Sequence, residues 1–171
     1  MTLRIREAEP GDAEAIAEVH VRAWQAAYRG QLTDDYLDGL TVEDRVDQHR
    51  RTLAEPRAEW RTWIGEEDGH VLAFAVTGPS EDADAEPTTA ELYAVYLVPE
   101  RVGTGIGRQM LQHLTQDLRA RGFLAATLWV LETNERARRF YEIAGWKPDG
   151  AETSERVDCE MRPTVRYRVE L

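Results

Sequence analysis

Residues 97–108 read LVPERVGTGIGR, and no other part of the chain says as much about the fold. An apolar run ends at Pro99, three alternating glycines follow, and the apolar spacing of a helix begins near Arg108. Glycine lets backbone N–H groups approach an anion closely, and a helix N-terminus carries partial positive charge. The stretch therefore predicts a strand, a loop that cradles a pyrophosphate, and a helix, in that order.

Three types of glycine-rich phosphate loop can be compared with this stretch. The dinucleotide fingerprint G-x-G-x-x-G fails because Arg108 stands where its third glycine belongs. A nucleotide-binding P-loop needs a Lys-Ser or Lys-Thr pair, which the sequence lacks, and the protein-kinase signatures are missing. A glycine-rich turn without a ligand remains the simple alternative. Arg101 and Arg108 weigh against it, because cations at a helix N-terminus are unfavourable unless an anion is bound.

Size and composition predict one domain that spans residues 1–171. A chain of this length buries roughly 70% of its unfolded surface, and 42% apolar with 31% charged residues is ordinary for a globular protein. No run approaches the ~20 apolar residues of a membrane helix. Residues 1–7 lack the apolar core of a secretory signal. We therefore expect a cytoplasmic protein without membrane association.

The charge balance constrains the partners. Twenty-one basic and 32 acidic residues give a net charge of −11 at pH 7, which argues against sequence-independent binding of nucleic acid. The acidity is compatible with a cationic small substrate drawn in by the overall field. Acidity that serves only solubility is the simpler explanation.

Cysteine and histidine usage predicts neither a disulfide nor a metal site. Cys159 is the only cysteine, so no internal disulfide can form. The four histidines are scattered without the spacing of metal ligands: His20, His49, His70 and His113.

Periodicity and turn signals predict an α/β fold. A first strand is expected over residues 3–6, and an amphipathic helix follows Asp12 and ends at Arg29-Gly30. The remaining elements are a weaker helix over 41–53, strands over 59–66 and 70–77, an acidic loop over 80–87, a strand over 91–98, a helix over 105–121, a strand over 124–131, a helix over 134–144, and a hairpin that pairs the chain near Trp146 with residues 165–170. This order predicts one mixed sheet flanked by helices.

Two separated blocks resemble the GNAT superfamily of acetyltransferases, which move an acetyl group from acetyl-CoA to an amine. Residues 91–111 are similar to the family's strand, R/Q-x-x-G-x-G/A loop and helix. Residues 128–146, LWVLETNERARRFYEIAGW, are similar to its V-x-x-x-N-x-x-A-x-x-F-Y-E-x-x-G-F segment. The resemblance implies a single mixed, mostly antiparallel central sheet flanked by helices, with two splayed strands that hold the pantetheine arm of CoA. The match is looser over the first 60 residues.

The resemblance also implies a site for acetyl-CoA as cosubstrate. The backbone of Leu97 and Val98 is expected to pair with the pantetheine arm, and one N–H there to polarise the thioester carbonyl. At the position of Val102 the family usually has Gln or Arg, but it uses mainly the backbone N–H, so we expect phosphate binding to be preserved. The residues whose N–H groups are expected to hold the pyrophosphate are Val102, Gly103, Thr104, Gly105, Ile106, Gly107 and Arg108.

Two residues of the last helix are further candidates for contacts with CoA. Asn134 is expected to cap this helix, a position that asparagine favours on its own. The resemblance adds a contact between its side chain and the pantetheine arm. Arg138 is a candidate for the 3′-phosphate, although a solvated helix face is the simpler expectation.

Tyr141 and Glu91 are the candidate catalytic residues. Phe140 and Tyr141 point roughly 100° apart on a helix, so one can fill the core while the other faces the cleft. A phenol of pKa ~10 is a reasonable donor to a departing thiolate of pKa ~8.5; a packed aromatic is the alternative for Tyr141. Glu91 precedes the glycine loop at the distance of the catalytic glutamate in the histone acetyltransferase branch. It is the candidate base for the amine, and a solvated residue at the start of a strand is the alternative.

Four residues are candidates for the acceptor side. Trp24 and Tyr28 lie on the apolar stripe of the first helix, where this family usually builds its acceptor pocket, although such a stripe is also typical of a core. Tyr93 and Glu132 lie near the predicted cleft and are the alternatives to Glu91 as the base.

Two functions follow from these residues. In the first, a small-molecule amine attacks acetyl-CoA directly in a ternary complex, because no covalent nucleophile is evident. In the second, the chain is a non-catalytic acyl-CoA-binding sensor or partner module with the same fold. The presence of both Tyr141 and Glu91 favours the enzyme. Homodimers are common in the family, but the sequence identifies neither the oligomeric state nor the acceptor.

Overall fold

Seven strands form one sheet in a computed structural model that describes residues 2–171. The strands are β1 (Arg4–Glu7), β2 (Arg61–Glu67), β3 (His70–Pro79), β4 (Thr89–Leu97), β5 (Ala125–Leu131), β6 (Lys147–Val157) and β7 (Glu160–Glu170). Their order is β1-β2-β3-β4-β5-β7-β6. Every neighbouring pair is antiparallel except β4 and β5. The predicted fold class, a mixed and mostly antiparallel sheet, is confirmed.

Helices cover both faces of this sheet. Within residues 2–171 they are α1 (Ala13–Ala27), α2 (Asp34–Asp38), α3 (Val42–Ala54), α4 (Ile106–Ala120) and α5 (Glu135–Ile143). On one face, Ile16 of α1 shares a buried cluster with Phe74 of β3. On the other, Met110 of α4 and Tyr141 of α5 share a cluster with Leu128 of β5. None of the helices in this part of the chain has the length and apolar character needed to cross a membrane.

The pairing between β4 and β5 is short. It covers three positions, of which the last joins Glu91 to Thr127. Just beyond this point β3 pairs with Leu92 and Ala94 at consecutive positions, which leaves Tyr93 as the extra residue of a β-bulge. The bulge bends β4 away from β5, and a gap opens between the two strands. The expected splaying of two strands is therefore present.

Two elements differ from the expectation from sequence. The chain after α1 forms the short helix α2, at whose start the hydroxyl of Thr33 accepts the N–H of Tyr36 at 3.3 Å. The final hairpin is longer than expected, because β6 pairs with β7 as far as Val157. Residues 152–156 are exposed and polar, so they lack the apolar alternation by which a strand is recognised.

His20 and His49, which lie 29 residues apart in the sequence, are neighbours in the fold. Packing of α1 on α3 places His20 Nδ1 3.1 Å from His49 Nε2. The ring of Tyr96 stacks on His20 with 5.5 Å between centroids. Burial and the nearby charge of Arg45 lower the pKa of His20 to about 3 and that of His49 to about 4. Both rings are therefore neutral near pH 7, and one donates its N–H to the other.

We expect acid to destabilise the fold through this pair. In the unfolded chain the imidazole pKa is about 6.5, above the folded values of about 3 and about 4. Between these limits the unfolded state binds more protons, so stability is full above pH ~6.5 and falls as the pH drops toward ~4. Between about pH 7.5 and pH 5, urea unfolding should show a larger loss of free energy in the wild type than in His20→Gln/His49→Gln. The difference should be on the order of 4 kcal/mol, roughly 2 kcal/mol for each histidine.

The control for this prediction is His70→Gln, because His70 is exposed at the start of β3. This variant should lose as much stability in acid as the wild type. Equal acid losses in the wild type and the double variant would show that the pair is not the titrating group.

Candidate active site

The glycine loop leads into α4 with backbone N–H groups that the protein itself does not use. Gly105 precedes the helix with a φ of 94°, a left-handed conformation in which any side chain is strained. No atom lies within 4 Å of the positions that Cβ atoms on Gly103 and Gly105 would occupy, which leaves room for an anion. Within residues 2–171, no hydrogen bond is donated by the N–H groups of Gly103, Gly105, Ile106, Gly107 and Arg108.

The charges around α4 favour an anion at this end. The other four α-helices in the described residues carry an acidic residue in the first turn, and α4 carries none. No carboxylate therefore offsets the partial positive charge of the α4 N-terminus. Arg101 forms an ion pair with Glu67 of β2. Arg108 is exposed in the first turn of α4 and has no ion-pair partner among the described residues.

The backbone at the end of β4 is only partly available to a ligand. Val98 donates its N–H to Leu72 at 2.9 Å, and its carbonyl accepts the N–H of Arg101 at 3.0 Å. Because residues of an antiparallel pair alternate between bonded and non-bonded positions, Leu97 directs its N–H and C=O away from β3 and toward the gap. Of the two residues expected to pair with pantetheine, Leu97 has free groups. Val98 would have to give up the bonds that it already makes.

Three tyrosines and Asn134 come together beside the gap: Tyr28 at the end of α1, Tyr96 of β4 and Tyr141 of α5. Burial raises the pKa of all three hydroxyls, and for Tyr141 the neighbouring Tyr28 adds to the shift. The side chains of Asn134 and Tyr96 lie close enough to the Tyr28 hydroxyl to oppose part of its shift. All three phenols therefore keep their protons near neutral pH and can act as hydrogen-bond donors.

Asn134 has the structural role that the sequence predicted. Its Oδ1 accepts the N–H of Ala137 at 3.2 Å and so caps α5. The expected contact with a ligand stays a prediction. The position of Asn134 next to Tyr28 is compatible with both roles.

Trp24 packs against the tyrosine cluster. Its ring lies 4.8 Å from that of Tyr28 and 6.3 Å from that of Tyr96, centroid to centroid. Its buried Nε1 has the hydroxyl of Tyr96 as a neighbouring acceptor.

Glu91 lies at the closed end of the gap, at the last position where β4 pairs with β5. Only 7% of the residue is exposed, so it is not the solvated residue of the simpler alternative. Ser80 Oγ donates to its Oε2 at 3.2 Å. Burial, reinforced by the negative charge of Asp82, raises the pKa of Glu91 to about 7. A carboxylate that titrates near neutrality is suited to take up and release a proton, as a general base must.

An aromatic stack borders Glu91. The ring of Trp60 stacks on Tyr93 with centroids 4.3 Å apart, and the guanidinium of Arg57 lies 4.2 Å from the Trp60 centroid. Trp60 can lie flat here because Gly78, the strand partner of Glu91, has no side chain; a Cβ there would stand 2.6 Å from the indole. The stack therefore gives the site a flat apolar wall.

Tyr93 is part of this wall and is poorly suited to be the base. Its hydroxyl donates to the carbonyl of Pro79 at 2.8 Å. Burial and the nearby Glu91 raise its pKa. A phenol that keeps its proton near neutral pH cannot take one from an amine.

Arg138 and Glu132 lie apart from Glu91. Arg138 donates from Nε to the hydroxyl of Tyr167 at 3.2 Å and from Nη1 to the carbonyl of Glu132 at 3.0 Å. A contact with the 3′-phosphate would require the guanidinium to leave these acceptors. Glu132 is exposed and lines a cavity of about 320 Å³ beside residues 152–154 of β6 and 163–165 of β7. Glu91 is not among the residues that line this cavity.

Several residues of the site are not among those that the sequence singled out. Tyr96 could have been found from strand alternation, because it faces away from Leu97 at the edge of the gap. Trp60, Ser80 and Asp82 carry no comparable signal. Trp60 reaches Glu91 through the pairing of β2 with β3, and Ser80 and Asp82 reach it through the chain that connects β3 to β4.

Comparison with known proteins agrees with this architecture. Residues 14–146 match the model of the acetyltransferase (GNAT) family. The chain is 33% identical over 131 residues to the uncharacterized N-acetyltransferase YuaI of Bacillus subtilis, which covers 76% of this chain and 72% of that protein. The fold of the present chain is similar to that of PaiA N-acetyltransferase from Thermoplasma acidophilum, which was solved in complex with coenzyme A. The TM-score is 0.75 at 20% identity, and 100% of each chain is covered. An N-acetyltransferase from Staphylococcus aureus Mu50 gives a TM-score of 0.75 at 21% identity, with 99% of each chain covered.

Two features of this fold are the splayed strands β4 and β5 and the unused N–H groups at the start of α4. The family match covers most of the chain and includes both of these features. The chain belongs to the acetyltransferase (GNAT) family and is an N-acetyltransferase.

Gly107 holds α4 and α5 close together, so its replacement tests how the site is built. A Cβ at this position would stand 3.1 Å from Cζ and 3.2 Å from Cε2 of Phe140, the neighbour of Tyr141. The larger side chain of Gly107→Val must displace the Phe140 ring. We expect the free energy of unfolding in urea to fall by about 2 kcal/mol, a usual cost of overpacking.

Gly11→Val provides the matched control. A Cβ on Gly11 would meet no atom within 4 Å, so this variant should change stability far less. A Gly107→Val protein as stable as Gly11→Val would mean that the two helices are not in close contact.

Proposed function

We propose that this protein transfers an acetyl group from acetyl-CoA to the primary amine of a small-molecule acceptor, by direct attack in a ternary complex. One observation carries the proposal: the gap between β4 and β5 has chemically different ends. Unused backbone donors of the glycine loop and α4 stand at one end. At the other lies the buried Glu91, whose pKa is about 7.

The donor end fits acetyl-CoA, which supplies an activated acetyl thioester when bound. The free N–H groups from Gly103 to Arg108 would hold the pyrophosphate, where the α4 dipole favours negative charge. The backbone groups of Leu97 would hydrogen-bond the amides of pantetheine, much as another strand would. The cosubstrate thereby directs its thioester toward Glu91.

Glu91 would act as the general base. Alkylamines have a pKa of about 10 and are mostly protonated at neutral pH, so a proton must leave before or during attack. The Glu91 carboxyl is half-ionised near pH 7, and its free oxygen can accept this proton directly or through a water molecule. Ser80 holds the other oxygen and so orients the carboxylate.

Tyr141 would act as the general acid. Its hydroxyl keeps its proton in the buried tyrosine cluster and would return a proton to the sulfur as the CoA thiolate departs. Burial raises the pKa of the tyrosine hydroxyl and that of the CoA thiol alike. It therefore does not by itself reverse the proton transfer from Tyr141 to the sulfur. Protonated CoA is a poor nucleophile, which prevents the reverse reaction.

Direct attack requires no covalent intermediate on the protein. Cys159 is exposed in the turn between β6 and β7. A thiol in that position has no part in the gap between β4 and β5.

The surroundings of Glu91 support an amine as the acceptor. Asp82 and Glu81 place negative charge near Glu91, which attracts a cation before it loses its proton. Trp60 and Tyr93 offer a flat surface for the carbon skeleton of a small molecule. A short alkylamine fits this combination of acid and aromatic groups.

Thiol release from acetyl-CoA, measured near pH 8 against polyamines, amino acids, aminoglycosides and lysine peptides, tests the proposal. We expect turnover with one of the small-molecule classes. Tyr141→Phe should lower kcat at least about 100-fold, as loss of a general acid does. It should leave the Kd for acetyl-CoA, measured by calorimetry, within about twofold, because backbone groups make the main contacts.

Tyr36→Phe in α2 is the matched control and should keep the turnover of the wild type. If acetyl-CoA binds but no amine of the panel causes thiol release, the proposal is overturned in favour of an acyl-CoA-binding module. Turnover confined to lysine peptides would replace the acceptor class with a protein.

The pH dependence of kcat tests Glu91 separately. At saturating amine, kcat should rise as the pH passes through about 7, because Glu91 is a base only after it has lost its own proton. Glu91→Gln should abolish this inflection and lower kcat about 100-fold. Glu18→Gln, on the exposed side of α1, should retain it. An inflection that persists without Glu91 would assign the base to another group.

A further inference from the structure

Residues 80–88 connect β3 to β4 and lie beside Glu91; they are called the 80–88 loop below. Ser80 of this loop donates to Glu91. Asp82, two residues further on, accepts from Nε1 of Trp129 on β5 at 3.2 Å. The loop therefore spans from the end of β3 to β5 at the end of the gap where Glu91 lies.

Arg166 of β7 ties this loop to the sheet. Its Nη1 donates to Asp82 at 3.0 Å and to Asp84 at 2.7 Å, and its Nη2 donates to Asp84 at 2.7 Å. Its Nε donates to Asp149 of β6 at 2.7 Å. One guanidinium thus joins two carboxylates of the 80–88 loop to a carboxylate of the outermost strand.

The position of Arg166 is built into the sheet. The pairing of β6 with β7 is interrupted between Pro148 and Glu152, opposite Arg166, and this irregularity carries Asp149. The Arg166 side chain is only 11% exposed, and its Cζ lies 5.5 Å from the centroid of Trp129. Multiple charge-assisted hydrogen bonds in a sheltered position distinguish this group from an ordinary surface ion pair.

We propose that Arg166 is a positioning residue of the acceptor site, which keeps the 80–88 loop closed over Glu91 and thereby keeps water away from the base. The catalytic meaning of this inference rests on the proposed function. The anchoring of the 80–88 loop by Arg166 is independent of the proposed function, because all of its contacts are made between residues of the protein. Arg166 itself has no need to touch the acceptor.

Removal of the guanidinium would leave three facing carboxylates, Asp82, Asp84 and Asp149, without their shared partner. Neighbouring carboxylates repel one another, and Asp82 and Asp84 both belong to the 80–88 loop. We therefore expect the loop to leave the sheet and water to reach Glu91. Glu91 would lose the burial that is the largest cause of its raised pKa, and it would lose the neighbouring charge of Asp82, which is the next cause.

The other charged groups around Glu91 do not alter this direction. Glu81 of the same loop also raises its pKa, while Ser80 and Tyr93 lower it. Arg57 forms an ion pair with Glu81 at an exposed position. Departure of the loop removes both acidic neighbours, so the pKa of Glu91 should move from about 7 toward the ordinary value of 4.5.

The test is a titration of the Glu91 side-chain carboxyl by carbon-13 NMR in the folded protein without ligands, with its signal assigned by its loss in Glu91→Gln. In the wild type the pKa should be about 7. In Arg166→Met it should fall by at least about one unit, and in Arg166→Lys by less, because an ammonium can keep part of the contact. Asp84→Asn, which leaves the bonds from Arg166 to Asp82 and Asp149 in place, should give a smaller shift and covers the case in which Arg166→Met does not fold.

Arg168→Met is the matched control. Arg168 lies on the same strand and close enough to influence Asp84, but its own partner is Glu170. It should leave the pKa of Glu91 unchanged, which separates loss of the anchor from loss of a positive charge. An unchanged or raised pKa in Arg166→Met, or an equal shift in Arg168→Met, would overturn the proposal.

Kinetics provide a second readout. With an accepted amine, Arg166→Met should raise the KM for the amine and move the pH inflection of kcat downward together with the NMR pKa. The KM for acetyl-CoA should stay unchanged. Because the titration needs no turnover, a failed search for an acceptor would count against the proposed function and leave the result on Arg166 intact.

Discussion

The early end of hydrogen bonding between β4 and β5 is the constraint on which the site depends. Parallel pairing stops where Glu91 faces Thr127, and the bulge at Tyr93 turns β4 away. Pairing continues on the outer edges of both strands, with β3 and with β7, so the sheet stays continuous. The inner edges are left with backbone groups that have no strand partner. Buried backbone groups without partners cost free energy comparable to a lost hydrogen bond, and an extended ligand in the gap would recover it.

In the function we propose, the two ends of this gap would recognise ligands by different means. At α4 the recognition groups would be backbone N–H groups, and what the sequence must supply is glycine at positions where a side chain would be strained or would clash. At the other end the groups are side chains: the Glu91 carboxyl, the stacked Trp60 and Tyr93, and the carboxylates of the 80–88 loop. The first kind of site depends on local geometry. The second depends on which elements the fold brings together.

This difference explains how much the sequence could predict. The glycine spacing predicted the loop and a helix over residues 105–121, and α4 spans Ile106–Ala120. Asn134 was expected to cap a helix and does so, because capping is decided within a few residues. The polar strand β6 was predicted only in part, since the partner strand, rather than an apolar face, decides its conformation.

Contacts over long stretches of chain were not predictable in the same way. His20 and His49 are 29 residues apart and meet only because α1 packs on α3. Arg166 and Asp82 are 84 residues apart and meet only because β7 lies beside β5. Periodicity assigns such residues to a face of an element and says nothing about what lies opposite. Glu91 shows the limit: its place before the glycine loop suggested a base, but its burial follows from elements on both sides of β4.

The raised pKa of Glu91 ties the acceptor end of the site to the stability of the fold. Burying an ionisable group disfavours its charged form, and the negative charge of Asp82 adds to this cost. Asp82 can stay close only because Arg166 and Trp129 bind its oxygens. The Arg166 guanidinium therefore stabilises Asp82 in a position where it repels the ionised Glu91 carboxylate. This repulsion is useful, because without Asp82 and the covering loop the pKa of Glu91 would be lower and its carboxylate a weaker base. Because these contacts are side-chain contacts made after β3 and on β7, they can change without disturbing the backbone geometry of the glycine loop. A fold of this kind can therefore adapt its acceptor end while its donor end stays fixed.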